Sequence, residues 1–216
     1  MALSILKGAE HMLPLVQWDP RDPRLLLMRA SIASIVSYVF FNRGECSALC
    51  LTEDLVVTND HITLRLREEK GHKALRAGMR NTRQIGCSDL PRVVNLLKAY
   101  FAGTSTMGPP LARRWALAHA EDKAPWTAST LTIWLHDAYT KAGHEPPLGF
   151  CWTSHNLRKG AASAAYAIKV RLNDIRYAGG WSTNYTVLES KYVDFTTKPT
   201  KAALLFFGYL KKDCPT

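Results

Sequence analysis

Apolar residues crowd the stretch from Arg24 to Phe41 and leave little polar face, which predicts a helix buried on most sides. Asp22-Pro23 opens it, with proline at the first helical position. Arg43 follows its end, and Ser47–Leu51 reads as a short helical continuation. The spacing then changes from a helical repeat to alternation. Leu55-Val56-Val57 leads through Asn59-Asp60 into His61–Arg67, where Ile62, Leu64 and Leu66 alternate with Thr63, Arg65 and Arg67. That is a hairpin with one apolar and one basic face. Lys70-Gly71 supplies the next turn, and Ala74–Met79 is the candidate third strand.

Helical spacing returns after Pro91, with Val93–Phe101 ended by Gly103. Thr104–Trp126 holds Pro109, Pro110 and Pro125 and reads as an irregular connection. Ser129–Ala142 sets Leu131, Trp134, Leu135 and Ala138 on one face and stops at Gly143. Past Pro146 and Pro147, Ser154 is the expected N-cap of a helix over Asn156–Val170. Asn173–Tyr177 is a short helix stopped by Gly179-Gly180, and Asn184–Val193 and Pro199–Leu210 are two more. Met1–Asp22 carries Pro14 and Pro20 and little periodicity, and reads as a partly ordered lead-in. The fold class that follows is mainly α with a small antiparallel β-sheet (α+β), without internal repeats.

A chain of 216 residues, 47% of them apolar, suits one domain with a sizeable core. The net charge of +10 and pI of about 9.5 favour a polyanionic partner. Half of that excess lies between Arg65 and Arg83, where seven Lys/Arg face only Glu68 and Glu69. The cysteines Cys46, Cys50, Cys87, Cys151 and Cys214 are odd in number and form no C-x-x-C, so they read as reduced thiols. Ile32–Phe41 is too short and interrupted to span a bilayer, and no secretory signal is visible. The expected compartment is intracellular: the nucleus in a eukaryote, the cytoplasm in a prokaryote.

The chemistry concentrates between Ser154 and Asp194. Ser154-His155-Asn156-Leu157-Arg158-Lys159-Gly160 puts a histidine and an arginine one turn apart at a helix N-terminus, a natural phosphate site. Gly179-Gly180-Trp181 adds an indole N–H, and Lys191-Tyr192-Val193-Asp194 adds a phenol. Together these groups can grip a phosphodiester and attack it without a metal. An isolated His-x-x-Arg more often makes a surface ion pair and packs its histidine, so the neighbouring motifs carry the reading. His61, His72, His119, His136 and His144 show no metal-ligand spacing, and no paired carboxylates suggest two-metal chemistry.

The string His155-x-x-Arg158, then Gly180-Trp181, then a tyrosine resembles the second signature box of the tyrosine recombinases (phage-integrase family). Roughly Leu25 to Leu210 takes part in the resemblance. It implies a catalytic domain over residues 23–212 behind a lead-in of residues 1–22, with the N-terminal core-binding domain of the family absent. It implies Arg43 and Arg158 as phosphate clamps, although the acidic residue usual three positions after the first arginine is here Cys46, with Glu45 one place early. It implies a hairpin lysine that protonates the leaving 5′ oxygen, Lys70 or, three residues on, Lys73. Trp181 stands where the family has His or Trp.

Two phenols compete as nucleophile, Tyr185 and Tyr192. The context Tyr192-Val193-Asp194 is similar to DIRS-type and Crypton-type mobile-element recombinases and favours Tyr192. The resemblance thus implies a DNA breakage-and-rejoining enzyme working through a 3′-phosphotyrosyl intermediate on double-stranded DNA, with no cofactor. Self-association into a tetramer on DNA would run through the closing helix, whose Leu204, Leu205, Phe206 and Phe207 leave almost no polar face. Arg43, Lys70, His155, Arg158, Trp181 and Tyr192 are then expected on one concave basic face. A DNA-binding remnant that no longer recombines, and a type IB topoisomerase-like enzyme, are the alternative readings.

Overall fold

Asp22 sets the start of the longest helix. In the computed structural model, which describes residues 2–19, 21–44, 46, 54–66, 81–87, 90–107, 127–141, 143–146, 148–149, 151–181 and 185–196, its carboxylate accepts the Arg24 and Gln17 N–H groups at 2.9 and 2.6 Å. Helix α2 then runs Pro23–Val39. Its buried serines are compatible with the core because Ser31, Ser34 and Ser37 each donate to the carbonyl four residues earlier.

Before it, the expected lead-in is helical instead. Helix α1 spans Ala2–Met12, and Leu6 and Ala9 are fully buried against the rest of the core. A single-turn 3₁₀ segment, Leu13–Leu15, connects the two. The ion pair between Glu10 and Arg92 ties α1 to α3, Pro91–Thr104. Gly103 does not end α3; it lies inside its last turn, where the ring of Trp18 occupies the space a Cβ would need.

The sheet is antiparallel in the order β1-β2-β3, comprising Leu55–Val57, His61–Leu66 and Asn81–Gly86. Ile62, Leu64 and Leu66 all face the core, as their alternation predicts. The strand that completes the sheet is Asn81–Gly86, paired Leu64 to Arg83 and Ile62 to Ile85. The Ala74–Met79 candidate, the Ser47–Leu51 continuation, most of the Thr104–Trp126 connection and the closing helix Pro199–Leu210 lie outside the described residues.

Four more helices are found among the described residues. Helix α4 spans Ala128–Lys141 and is followed by Gly143 at φ +75°. Helix α5, Ser154–Ala167, is capped by Thr153 rather than Ser154: Asn156 Oδ1 accepts from the Thr153 N–H at 3.2 Å and from its hydroxyl. Ser154 instead exchanges hydrogen bonds with Thr132 of α4. Helix α6, Leu172–Gly179, ends on Gly180 in the left-handed conformation, φ 64°. Helix α7 is shorter than expected, Thr186–Lys191. Helix α2 is the hub, packing on α1, α4 and α5. The fold is mainly helical with one small antiparallel sheet, and no described helix is long and apolar enough to cross a membrane.

Candidate active site

The first turn of α5 organises the site. His155 and Arg158 are three residues apart, yet their environments are opposite: His155 is exposed and Arg158 is 2% exposed. The Arg158 guanidinium points inward. Nη1 donates to the Phe41 carbonyl and Nη2 to the Gly179 carbonyl at 2.9 Å, so one side chain ties the exit of α2 to the end of α6. Its Cζ lies 3.9 Å from the centre of the Trp181 ring and 5.3 Å from that of Tyr192. Aromatic faces are the favourable apolar partners for a desolvated guanidinium.

Trp181 is brought there by Gly179 and Gly180. Gly180 turns the chain back at positive φ, and the Trp181 ring folds onto Gly179 so closely that a Cβ there would lie 1.7 Å from Cζ3. The indole is 8% exposed, and its Nε1–H has no hydrogen-bond partner among the described residues. A buried donor left without an acceptor is uncommon and is a ready position for an anionic oxygen.

Tyr192 closes the group. It is 7% exposed, with ring centroids 5.1 Å from Trp181 and 5.0 Å from His155. Ser163 of α5 holds its backbone: the hydroxyl donates to the Tyr192 carbonyl at 3.1 Å and accepts the Asp194 N–H at 3.0 Å. Tyr185 stands apart, its hydroxyl donating to Asn173 at 2.9 Å and its ring beside Arg176. The two phenols therefore occupy different surroundings, and it is Tyr192 that meets His155, Arg158 and Trp181.

Arg43 reaches the same place along another route. The backbone at Gly44 passes so near the start of α5 that a Cβ would lie 2.7 Å from Ser154 Cβ and Oγ. Arg43, half-buried and next to this approach, is near enough to His155 for its charge to act on it. Partial desolvation of the imidazole, which packs against Tyr192 on one side, then the Arg158, Arg43 and Lys159 cations, lower the His155 pKa below its usual value. The shift favours the neutral imidazole, the form that can accept a proton. Lys70 and Lys73 lie outside the described residues. Among the described residues no group of three or more His, Cys, Asp or Glu is arranged to hold a metal ion.

With this geometry in view, the likeness to known structures is limited in kind. No family model and no curated protein matches the chain. Among solved structures it is similar to XerH site-specific recombinase bound to difH substrate in a pre-cleavage complex, with TM-score 0.56 at 13% identity over 86% of this chain and 50% of that one. The post-cleavage complex of XerH with palindromic difH gives TM-score 0.58 at 13% identity, over 95% of this chain and 49% of that one. The chain therefore has the fold of a tyrosine recombinase, and it spans about half the length of those XerH chains.

Sequence reasoning did not single out Phe41, Ser163 or Arg83. Phe41 supplies a carbonyl to Arg158 and a ring 6.2 Å from Trp181, from a backbone at φ 53°. Arg83, the last of the basic residues read as favouring a polyanionic partner, is 5% exposed and donates to Phe40 and Asn42. The alternation of β2 carries the missing signal, since a strand paired to it in register puts the residue opposite Leu64 on the buried face.

Proposed function

We propose that this chain is the catalytic part, over residues 23–212, of a tyrosine recombinase that breaks and rejoins duplex DNA through Tyr192. One observation carries the reading: the Arg158 cation lies under Trp181 and Tyr192, beside an indole N–H that has no acceptor among the described residues. An indole donor with no acceptor among the described residues costs an apolar core, whereas a site for the anionic oxygens of a phosphodiester uses it together with the Arg158 charge.

In the proposed reaction the Tyr192 oxygen attacks phosphorus and its proton passes to the neutral His155. The bond from phosphorus to the 5′ oxygen breaks, and that oxygen leaves as a hydroxyl with a proton from Lys70 or Lys73. A 3′-phosphotyrosyl ester remains. The 5′ hydroxyl of a partner strand then attacks this ester, joins the strands and returns the phenol, so the ligation draws on no nucleotide. Arg43 and the Trp181 N–H hold the non-bridging oxygens. Arg158 contributes charge and keeps the Phe41 and Gly179 segments together. The Tyr192-Val193-Asp194 context supports a DIRS-type or Crypton-type mobile-element origin, acting in the nucleus as a tetramer joined through the closing helix.

A second reading has its own support. Two Arg158 donors are engaged by backbone carbonyls, as a DNA-binding remnant without strand transfer would tolerate. A nicked suicide substrate separates the two. Covalent protein–DNA adduct on a denaturing gel, lost in Tyr192→Phe and kept in Tyr185→Phe, is the expected result. Salt-labile retention without adduct assigns the remnant. Relaxation of any plasmid assigns a topoisomerase.

A further inference from the structure

Arg83 is the strangest residue of the sheet. It pairs with Leu64, and residues directly opposite in an antiparallel pair share a face. Leu64 is fully buried, so Arg83 stands among core residues at 5% exposure, where a cation is costly unless it is hydrogen-bonded. Its Nη1 donates to the Phe40 carbonyl at 2.9 Å and to Asn42 Oδ1. Both acceptors belong to the turn that leaves α2.

Between them Phe41 has φ 53°, a region that residues other than glycine seldom occupy and that persists only where the surroundings hold it. Arg158 takes the Phe41 carbonyl from the α5 side. Two buried arginines, one from the sheet and one from α5, thus grip three consecutive residues. Arg43 is the next residue. Were Phe41 to return to the right-handed region it would prolong α2, and each added helical residue turns the chain by about 100°. Arg43 would then leave its place beside His155.

We infer that Arg83 is a positioning residue: by holding the left-handed turn at Phe40–Asn42 it sets where Arg43 stands. The inference rests on the strand-cleaving reading, because that reading gives Arg43 its role. It also couples the β2–β3 hairpin to the arginine, since any shift of β3 pulls on the turn.

The test uses the whole chain with Arg83→Lys, which keeps a cation but loses the planar fork, and Asn42→Ala, which removes one acceptor from the other end. The Phe41 and Asn42 amides, bonded to the Tyr38 and Ser37 carbonyls, should exchange hydrogen at least about tenfold faster in both variants, while α2 amides from Ile32 to Val36 stay unchanged. On the nicked substrate at saturating DNA, Arg83→Lys should slow cleavage roughly 10- to 100-fold with DNA affinity within about threefold. In an Arg43→Ala background the same substitution should cost less than about threefold, because its effect passes through Arg43. Unmoved exchange, or a full additional loss in the Arg43→Ala background, overturns the inference. If the unmutated chain forms no adduct while exchange still accelerates, the hold on the turn stands and the strand-cleaving reading is what fails. Should Arg83→Lys not fold, Asn42→Ala carries the same exchange and cleavage comparisons.

Discussion

Gly179→Ala offers a direct trial of how the site is packed. The added Cβ would lie 1.7, 2.2 and 2.7 Å from Cζ3, Cε3 and Cη2 of Trp181, where ordinary contact begins at 3.4 Å. The indole is a rigid plate, so it has to shift by more than an ångström, which disturbs its 3.9 Å stack on Arg158. Overpacking of this kind costs roughly 1–3 kcal/mol. Weakening a desolvated cation–π contact adds about 2 kcal/mol, and the disturbed edge contacts with Tyr192 and Phe41 about 0.5–1.5 kcal/mol each. The better helix propensity of alanine returns about 1 kcal/mol. The net expectation is a loss of about 3–7 kcal/mol, which at its lower end is roughly 6–12 °C in Tm for a domain of this size. Urea unfolding followed by far-UV circular dichroism measures the loss, and near-UV circular dichroism reports the displaced indole. Adduct formation should fall further than DNA binding, because the Trp181 N–H moves with its ring. A Gly179→Ala chain as stable as the parent to within about 1 kcal/mol would refute the packing argument, since a Cβ cannot coexist with the ring as placed.

Gly160→Ala should act oppositely: the nearest atom, Tyr38 Cε2, is at 3.9 Å, and the exposed helical site should gain about 0.5–1 kcal/mol in urea unfolding. Ser163→Ala removes the hydroxyl that bonds Tyr192 and Asp194, and should cost about 1–3 kcal/mol by the same measurement while slowing adduct formation. His155 has a folded pKa below the 6.5 of a free imidazole, so the unfolded chain takes up its proton first as pH falls. Its contribution to stability is therefore level above that pH and declines through the window below it, toward the lowered folded value, a decline that His155→Gln should remove from the pH profile of unfolding. Cleavage that relies on neutral His155 should fade over the same acid limb.

Long, strongly patterned segments were legible in the sequence. The density of apolar residues in α2, the alternation of Ile62, Leu64 and Leu66, and the glycines after α4 and α6 all mark real elements and boundaries. What was hidden has particular causes. Strand β3 escapes a hydrophobicity reading because its residue opposite Leu64 is Arg83, so the apolar alternation is broken where the strand is buried. Helix α1 carries a clear amphipathic stripe, with Ile5, Leu6 and Ala9 buried, but Pro14 and Pro20 close behind it mark the segment as an irregular lead-in. Thr153 and Ser154 are both competent caps, and the tertiary bonds that Ser154 exchanges with Thr132 decide between them. At the site, the motif names His155, Arg158, Trp181 and Tyr192, but spacing on a helix cannot say which way an arginine points. Arg158 is drawn inward by carbonyls of Phe41 and Gly179, distant in the chain, and no local pattern encodes that.

The bond from Arg158 to Phe41 also bears on the order in which the molecule is made. It joins residues 117 positions apart, whereas the Arg83 bond to Phe40 spans 43 and the Arg158 bond to Gly179 spans 21. Loop-closure entropy rises with the logarithm of the span, and contacts of long span are rewarded only after that entropy is spent. The hairpin and α2 can therefore form on a nascent chain while the Phe41 turn is gripped from one side alone. Docking of α5 is the event that completes it, and the indole of Trp181 takes its place over the guanidinium in the same step. A refolding chain should regain its helical signal before the near-ultraviolet signature of that tryptophan, and a ribosome stalled ahead of Arg158 would hold a folded sheet with no site.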